Sequence, residues 1–329
     1  MYPLSRNRRL RTSEAIRRLV RETQLTPDDF LVPLFVTEGK GVKEEIPSMP
    51  NYHRLSLDNL EKEVKELWKM GLCSVLLFVK VADKLKDPSG REAHNPKGLM
   101  QRAIETVKNA CPQMLVMTDV ALDPYSSHGH DGIVRHGRIV NDDTLDVLVK
   151  ISLTHARAGA DFVAPSDMMD GRVLAIRKAF ENAGLDDTGI MAYSAKYASG
   201  LYGPFRDALD SAPVDMEDIP KDKNTYQMDY ANRREALVEA RLDLEEGADI
   251  VMVKPGLCYL DILREIRDQV DIPLAVYQVS GEYAMLKAAA EKGWVDHDAV
   301  MLEQLTAFKR AGANIIASYF AKDFIRTLG

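Results

Sequence analysis

Short apolar runs alternate with longer amphipathic segments along almost the whole chain. Each run is five to seven residues long, rich in Val, Ile, Leu or Phe, and lacks the apolar–polar alternation of a half-exposed strand. This pattern is typical of buried parallel strands, because helices cover both of their faces. The runs are Leu31–Val36, Val75–Lys80, Met114–Val120, Phe162–Ser166, Ile190–Lys196, Ile250–Lys254, Leu274–Ser280 and Asn314–Tyr319. We therefore predict eight parallel strands.

The segments between these runs have the periodicity of helices. After Ser56, a candidate N-cap, one face of the first helix is apolar and Gly71 provides a left-handed end. That face carries Leu57, Leu60, Val64, Leu67 and Trp68. Residues 232–246 repeat the pattern before Gly247, with the inward residues Ala236, Leu237, Ala240 and Leu244. Eight strands alternating with helices predict an α/β fold, a single (β/α)8 TIM barrel, with a doubly wound open sheet as the alternative.

Two parts of the chain do not follow this alternation. Residues 1–29 contain seven arginines and predict an N-terminal arm, which is either solvated or crosses onto a neighbouring subunit. Residues 197–230, after the fifth strand, are rich in Gly, Pro and Asp and too long for an ordinary connection, so we predict an active-site lid. The barrel itself is assigned to residues 30–329.

Composition narrows the class of protein. Lys and Arg total 43 against 50 Asp and Glu, a net charge of −7, which argues against nucleic-acid binding. No apolar run has the length of a membrane span, so no membrane partner is expected. Cys73, Cys111 and Cys258 are widely separated, which argues against a disulfide framework and favours a cytoplasmic location.

The candidate chemistry lies at the carboxyl ends of the predicted strands, where barrels of this kind hold their active sites. Lys196 and Lys254 each end an apolar run. A single strand-end lysine commonly extends its amine to the surface, and we interpret Lys80 in this way. Two lysines on nearby strands under one lid favour another interpretation, in which each lowers the pKa of the other and a neutral amine attacks a carbonyl to form a Schiff base.

Further polar residues surround the two lysines in this prediction. Arg206, Lys221 and Lys223, followed by Gln227, place cations on the lid, where they are either solvated or bind a substrate carboxylate. Ser280 and Tyr319, at two other strand ends, are suited to bind a second carboxylate through neutral hydrogen bonds.

The segment from Asp119 to Gly132 follows the third strand and contains several potential ligands. They are Asp119, Asp123, His128, His130 and Asp131. Their spacing is compatible with a metal site or with a hydrogen-bonded loop. Because no cysteine lies here, any metal would be a harder, oxygen-preferring ion.

At these motifs the chain resembles the porphobilinogen synthase family, also called the 5-aminolevulinate dehydratases. The resemblance spans nearly the whole chain, and its most specific parts are Ala164–Gly171, Tyr193–Lys196, Tyr202–Asp207, Met252–Gly256 and Tyr277–Glu282. It implies a lyase of tetrapyrrole biosynthesis that condenses two 5-aminolevulinate molecules into porphobilinogen, with loss of two waters.

The resemblance also implies roles for single residues. Lys254 would form the Schiff base with the substrate that supplies the propionate side, and Lys196 would engage the second substrate. The first carboxylate would be bound by Ser280 and Tyr319. The second would be bound by Arg206, Lys223 and Gln227, although Lys221 competes with Lys223. Asp119 and Ser166 match polar groups that line the family's site.

The resemblance further implies the metals and the assembly. Relatives that use zinc carry three cysteines where this chain has Ala121, Asp123 and Asp131. The chain therefore resembles the magnesium-responsive branch, with no catalytic zinc and no organic cofactor. Glu239 matches the ligand of an allosteric Mg²⁺, but it lies off the apolar face of its helix, as a plain exposed glutamate also would. Asp123 and Asp131 bind either an active-site ion or none. The family forms octamers built from dimers through the N-terminal arm.

Three other functions are compatible with parts of the pattern. A class I aldolase would need one reactive lysine and usually a sugar phosphate. A metal-dependent hydrolase would use His128, His130 and the nearby aspartates. A non-catalytic oligomeric scaffold would form no product from 5-aminolevulinate.

Overall fold

The strands and helices are taken from a computed structural model that describes residues 1–328. The strands are β1 Phe30–Thr37, β2 Lys43–Glu45, β3 His53–Leu55, β4 Ser74–Lys80, β5 Leu115–Val120, β6 Ile133–Arg135, β7 Arg138–Val140, β8 Phe162–Pro165, β9 Gly189–Lys196, β10 Ile250–Lys254, β11 Leu274–Gln278 and β12 Ile315–Ser318. The helices are α1 Glu14–Leu19, α2 Leu57–Lys69, α3 Leu99–Ala110, α4 Asn141–Arg157, α5 Arg172–Ala183, α6 Gly203–Leu209, α7 Arg234–Glu245, α8 Leu260–Arg267, α9 Ser280–Glu291, α10 His297–Ala311 and α11 Ala321–Arg326.

Eight of these strands close into a barrel. They pair in the order β1, β4, β5, β8, β9, β10, β11 and β12, and every neighbouring pair is parallel. Pairing of β12 with β1, Phe30 opposite Ile316, completes the circle. The predicted (β/α)8 barrel is confirmed and the open doubly wound sheet is wrong. The two small hairpins β2–β3 and β6–β7 lie outside the circle.

The helical periodicity predicted the positions of the helices better than the width of their buried faces. In α2 the side chains of Leu60, Val64 and Leu67 are buried, whereas Trp68 is 38% exposed. Ser56 precedes α2, but its hydroxyl contacts Asp58 and Val42 instead of capping the helix.

The last turn of α7 departs from the prediction for a different reason. Leu244 is 37% exposed, and the neighbouring Asp243 is buried in its place. Asp243 faces inward because both of its carboxylate oxygens accept hydrogen bonds from the buried guanidinium of Arg172 on α5, each at 3.1 Å.

A repeated contact fastens the amino ends of alternate barrel strands. The carboxylate of Asp161 accepts the Val116 N–H at 2.7 Å, and that of Asp249 accepts the Ile190 N–H at 2.8 Å. The Asn314 amide oxygen accepts the Leu274 N–H in the same way, at 3.0 Å. These contacts connect neighbouring strands on the side away from the predicted chemistry.

The segment 197–230 covers the opposite end of the barrel. It begins with a short 3-10 turn and α6 and continues without regular secondary structure. The ring nitrogens of His130 contact the Pro220 carbonyl at 2.7 Å and the Tyr226 hydroxyl at 3.0 Å, which joins the segment to the loop after β5. His130 therefore contacts segment 197–230 through both of its ring nitrogens.

The first 29 residues extend from the barrel with few buried side chains. The 3-10 turn at Asn7–Arg11 and helix α1 contain no buried residue. Over the described residues, no helix combines the length and apolar character needed to cross a membrane.

Candidate active site

The carboxyl ends of the strands bring most of the predicted polar residues around one small cavity. Its lining consists of Asp119, Asp123, Ser166, Lys196, Tyr202, Phe205, Arg206, Lys223, Gln227 and Lys254. Lys196 and Lys254 are opposite each other in the register of β9 and β10. Arg206, Lys223 and Gln227 are contributed by the segment 197–230, so this segment forms part of the cavity wall.

Four aromatic rings surround the amine of Lys254. Its Nζ is 4.5 Å from the ring centroid of Tyr277, 4.9 Å from Phe205, 5.1 Å from Tyr193 and 5.2 Å from Tyr202. Burial, and then the charge of Lys196, lower the pKa of Lys254 to about 7, because both disfavour the ammonium form. The ring faces partly offset this effect, since they attract a cation.

Lys196 has a different environment. Its Nζ donates hydrogen bonds to the Asp131 carboxylate, at 3.2 Å, and to the backbone oxygen of Ser166. Its distance to the Tyr193 ring centroid is 5.9 Å. The two lysines are neighbours, as predicted, but they are not an equivalent pair: one is paired with a carboxylate and the other faces rings.

Asp131 joins Lys196 to Lys223 of segment 197–230. Its other oxygen accepts a hydrogen bond from Lys223 at 2.5 Å, and Asp123 contacts the same ammonium at 3.3 Å. Burial alone would raise the pKa of Asp131, but Lys196 and Lys223 together hold it well below its usual range. The competing residue Lys221 is exposed, whereas Lys223 is buried.

Asp123 and Asp131, the candidate ion ligands, therefore contact lysine side chains. Within residues 1–328, no group of three or more His, Cys, Asp or Glu side chains is arranged to bind a metal. His128 and His130 belong to the loop that contacts segment 197–230, and the backbone oxygen of His128 accepts the Val214 N–H at 3.2 Å.

Asp119 is a carboxyl group of this cavity whose protonation changes near neutral pH. Burial, and then the negative charge of Asp123, raise its pKa to about 7, although a hydrogen bond with Ser166 opposes the shift. The buried hydroxyls of Tyr125 and Tyr193 have no hydrogen-bond partner among the described residues. The charge of Asp119 contributes to the raised pKa values of both tyrosines, after burial.

Ser280 and Tyr319 lie behind the aromatic rings. The Ser280 hydroxyl, on the first residue of α9, accepts the Phe205 N–H at 2.9 Å. The Tyr319 hydroxyl is 2.9 Å from that of Tyr277. Both hydroxyls are therefore connected to residues whose rings surround Lys254.

Glu239 lies outside this cavity, on α7. It borders an open cavity of about 690 Å³ that Asp170, Asp229 and Glu235 also line. Burial, and the nearby acids, raise the pKa of Glu239 to about 7, although Arg172 opposes the shift.

The sequence analysis missed the rings of Tyr193, Tyr202, Phe205 and Tyr277. The sequence contained a signal for two of these rings, because Tyr193 and Tyr277 lie within predicted buried strands. A buried tyrosine needs space or a partner for its hydroxyl.

Comparison with known proteins tests the predicted family. The family described as Delta-aminolevulinic acid dehydratase matches residues 4–327. The protein of that name from Synechococcus elongatus is 51% identical over 332 residues, with 100% of each chain covered. The one from Halalkalibacterium halodurans is 50% identical, and the match covers 98% of this chain and 96% of the relative. The chain belongs to the delta-aminolevulinic acid dehydratase family.

A solved structure of the family supports the fold over nearly the same length. The delta-aminolevulinic acid dehydratase (porphobilinogen synthase) of Toxoplasma gondii ME49, in complex with its reaction product porphobilinogen, has a TM-score of 0.95 and 52% identity. The match covers 98% of this chain and 91% of the Toxoplasma gondii chain. The predicted family, the porphobilinogen synthase function and the lyase activity in porphyrin biosynthesis are confirmed.

Proposed function

We propose that the chain forms porphobilinogen through a Schiff base between Lys254 and the ketone of one 5-aminolevulinate. The observation that supports this most is the position of the Lys254 amine, buried among aromatic rings with its pKa lowered to about 7. About half of the amine is then neutral at pH 7, against roughly one part in 2,500 at an ordinary lysine pKa. Attack releases water and leaves an imine, which carries a positive charge when protonated.

The surrounding rings are suited to that charge. A protonated imine at Nζ would lie over the faces of Tyr277, Phe205 and Tyr193, which attract cations in a desolvated site. The same rings keep water from the imine carbon and so oppose hydrolysis before the second substrate reacts. The aromatic surrounding thus stabilises the charged intermediate and protects it from hydrolysis.

We assign Lys196 to the second 5-aminolevulinate molecule. Its amine is opposite Lys254 in register and is held by Asp131 and Ser166. Asp119, with a pKa of about 7 and charge interactions with both lysines, is suited to accept and return protons during the two losses of water. Ser166, hydrogen-bonded to Asp119, orients its carboxyl group.

The two substrate carboxylates would be bound on opposite sides of the lysines. Ser280 and Tyr319 supply neutral hydroxyls for the first, near Lys254. Arg206, Lys223 and Gln227, on the lid 197–230, supply charge and an amide for the second. Because Lys223 contacts Asp123 and Asp131, a bound carboxylate would share its ammonium with them.

Reductive trapping tests the assignment of Lys254. Incubation with 5-aminolevulinate and borohydride should attach the substrate to Lys254, as located by peptide mass spectrometry. Lys254→Ala and Lys254→Arg should both lose turnover, since a guanidinium stays protonated. Lys80→Ala, which removes a strand-end lysine outside the cavity, should retain turnover. An adduct on another residue and none on Lys254 would overturn the assignment.

We also propose that Glu239 binds a regulatory Mg²⁺, largely through water. The residues fit, because Mg²⁺ prefers oxygen ligands and retained waters and the cavity beside Glu239 is open and rich in carboxylates. The raised pKa of Glu239 indicates a carboxylate that a cation would stabilise. Glu239→Gln should abolish stimulation of turnover by Mg²⁺ and leave borohydride trapping on Lys254 intact. Unchanged stimulation would contradict this role.

The N-terminal arm, residues 1–29, is proposed to cross onto a neighbouring subunit in an octamer. Tyr2, Leu4, Leu10 and Leu19 are more than half exposed in the single chain, so a neighbour would bury apolar surface that is otherwise in water. Deletion of residues 1–29 should yield a smaller assembly in sedimentation velocity, and an unchanged one would refute the proposal. The three free cysteines support a cytoplasmic location.

A further inference from the structure

Glu282 is a buried carboxylate that none of the assignments above uses. It lies in the first turn of α9 and is 1% exposed. One of its oxygens accepts the Leu257 N–H at 2.5 Å, and the other accepts the Val279 N–H at 2.6 Å. Its two oxygens thus bind two backbone segments that are 22 residues apart in the chain.

These two segments carry the amine and the hydroxyl proposed for one substrate molecule. Leu257 follows Lys254 after the two residues Pro255 and Gly256, and Val279 directly precedes Ser280. The Glu282 side chain therefore connects the end of β10 with the start of α9. A movement of either segment would change the separation between the Lys254 amine and the Ser280 hydroxyl.

The backbone around this connection is closely packed. A Cβ atom at Gly256 would lie 2.5 Å from the Phe308 ring and 3.2 Å from the Tyr277 carbonyl oxygen. A Cβ atom at Gly281 would lie 2.5 Å from the Leu201 carbonyl oxygen. Since not even a Cβ atom fits at either glycine, the backbone segments at Gly256 and Gly281 have little room to shift. The Glu282 carboxylate lies between these two segments.

At position 282, only a carboxylate can accept a hydrogen bond from each of the two backbone segments. Both partners are N–H donors, so each needs an acceptor, and no lysine, arginine or histidine within residues 1–328 forms an ion pair with Glu282. Burial raises the pKa of Glu282 to about 7, although the N–H groups of Leu257, Val279 and Gly256 favour its ionised form. A glutamine would supply one acceptor, and its amide N–H₂ would face the second N–H as a like donor.

We infer that Glu282 is a positioning residue that fixes the spacing between the Lys254 amine and the Ser280 hydroxyl. With this spacing, a keto acid bound at its carboxylate presents its ketone to the amine. The inference rests on the proposed function, in which Lys254 forms the Schiff base and Ser280 binds the carboxylate of the same molecule. A residue of this kind affects only reactions that engage both groups together.

Two probes separate positioning from reactivity. One is 4-oxopentanoate, which has the ketone and carboxylate of 5-aminolevulinate without its amino group, and the other is butanone, which has only a ketone. In each case the Lys254 amine and the ketone form an imine with loss of water, and borohydride reduces the imine to a stable amine. Mass spectrometry then gives the rate of adduct formation on Lys254 for each probe below saturation.

In Glu282→Gln we expect trapping of 4-oxopentanoate to fall by about 10- to 100-fold, because a displacement of about 1 Å can cost about 100-fold. Trapping of butanone should change less than twofold. Equal losses with both probes would overturn the inference, because they would indicate damage to the amine or the fold. Unchanged trapping of both would overturn it as well.

Two further variants control for folding. Asp249→Asn alters a carboxylate that also binds a strand N–H, but at the opposite end of the barrel, and should keep the ratio of the two trapping rates. Glu282→Asp keeps the charge with a shorter reach, so it should show the same selective loss to a smaller degree if Glu282→Gln does not fold. Equal trapping ratios in Glu282→Asp and the parent would overturn the inference. If the parent enzyme itself shows no adduct on Lys254, the proposed function fails and the inference fails with it.

Discussion

The two ends of the barrel use the same kinds of charged residue for different purposes. At the amino ends of the strands, Asp161 pairs with Lys108 and Asp249 with Arg177, each at 2.5 Å. Both carboxylates also accept a strand N–H, and the Asp249 side chain is 49% exposed. These charges stay in contact with water while they fasten one strand to the next.

At the carboxyl ends most charged residues of the cavity are almost completely buried. The side chains of Asp131, Lys196 and Lys254 are each at most 8% exposed. With little water to screen them, burial and neighbouring charges raise the pKa of Asp119 and lower that of Lys254, each to about 7. Desolvation therefore suits Asp119 and Lys254 to proton transfer near neutral pH, whereas the equally buried Asp131 stays ionised because two lysines contact it.

Replacing Lys254 should have the largest effect and should separate activity from stability. In Lys254→Met we expect turnover to fall by about 10⁴-fold or more, since the nucleophile is lost. The free energy of unfolding should rise by several kcal/mol at pH 6, because the parent holds a buried ammonium that water no longer stabilises. Porphobilinogen formation and urea denaturation measure the two effects.

The sign of the stability effect follows from the lowered pKa of Lys254. The unfolded chain binds this proton up to about pH 10.4, whereas the folded chain releases it near pH 7. The parent therefore gains stability between about pH 7 and 10, and the advantage of Lys254→Met should shrink over the same range. A variant less stable than the parent at pH 6 would contradict a desolvated amine.

The next largest effect is the pH dependence of Schiff-base formation. Only the neutral Lys254 amine attacks the ketone, so borohydride trapping of 4-oxopentanoate below saturation should fall about tenfold per pH unit below pH 7. Above about pH 8 the rate should level off, because the amine is then largely neutral. A continued rise up to pH 10 would indicate an ordinary lysine and remove the contrast between the two ends of the barrel.

The sequence predicted the barrel because its signals are local. Each buried strand appears as a continuous apolar run, and for β10 the predicted range Ile250–Lys254 agrees with the structure residue for residue. Strand-end lysines are equally visible in the sequence, since a lysine after an apolar run must lie at an end of the barrel. The juxtaposition of Lys196 and Lys254 then follows from the order of the strands.

Features that depend on distant partners could not be predicted in this way. Asp243 takes the inward place on α7 because Arg172, 71 residues earlier, pairs with it. Lys196 differs from Lys254 because Asp131 reaches it from the loop after β5. The contact of Glu282 with Leu257 likewise spans 25 residues and has no periodic signal.

The smallest effect is expected at the opposite end of the barrel, in Asp249→Asn. The new amide oxygen still accepts the Ile190 N–H, but the ion pair with Arg177 becomes a neutral contact. Because the Asp249 side chain is half exposed, the free energy of unfolding should fall by only about 1 kcal/mol or less in urea denaturation. The ratio kcat/KM for 5-aminolevulinate should stay within twofold of the parent, since Asp249 lies away from the cavity. A larger loss of activity than of stability would show that the amino end of the barrel also sets the geometry around Lys254, and the division between the two ends would not hold.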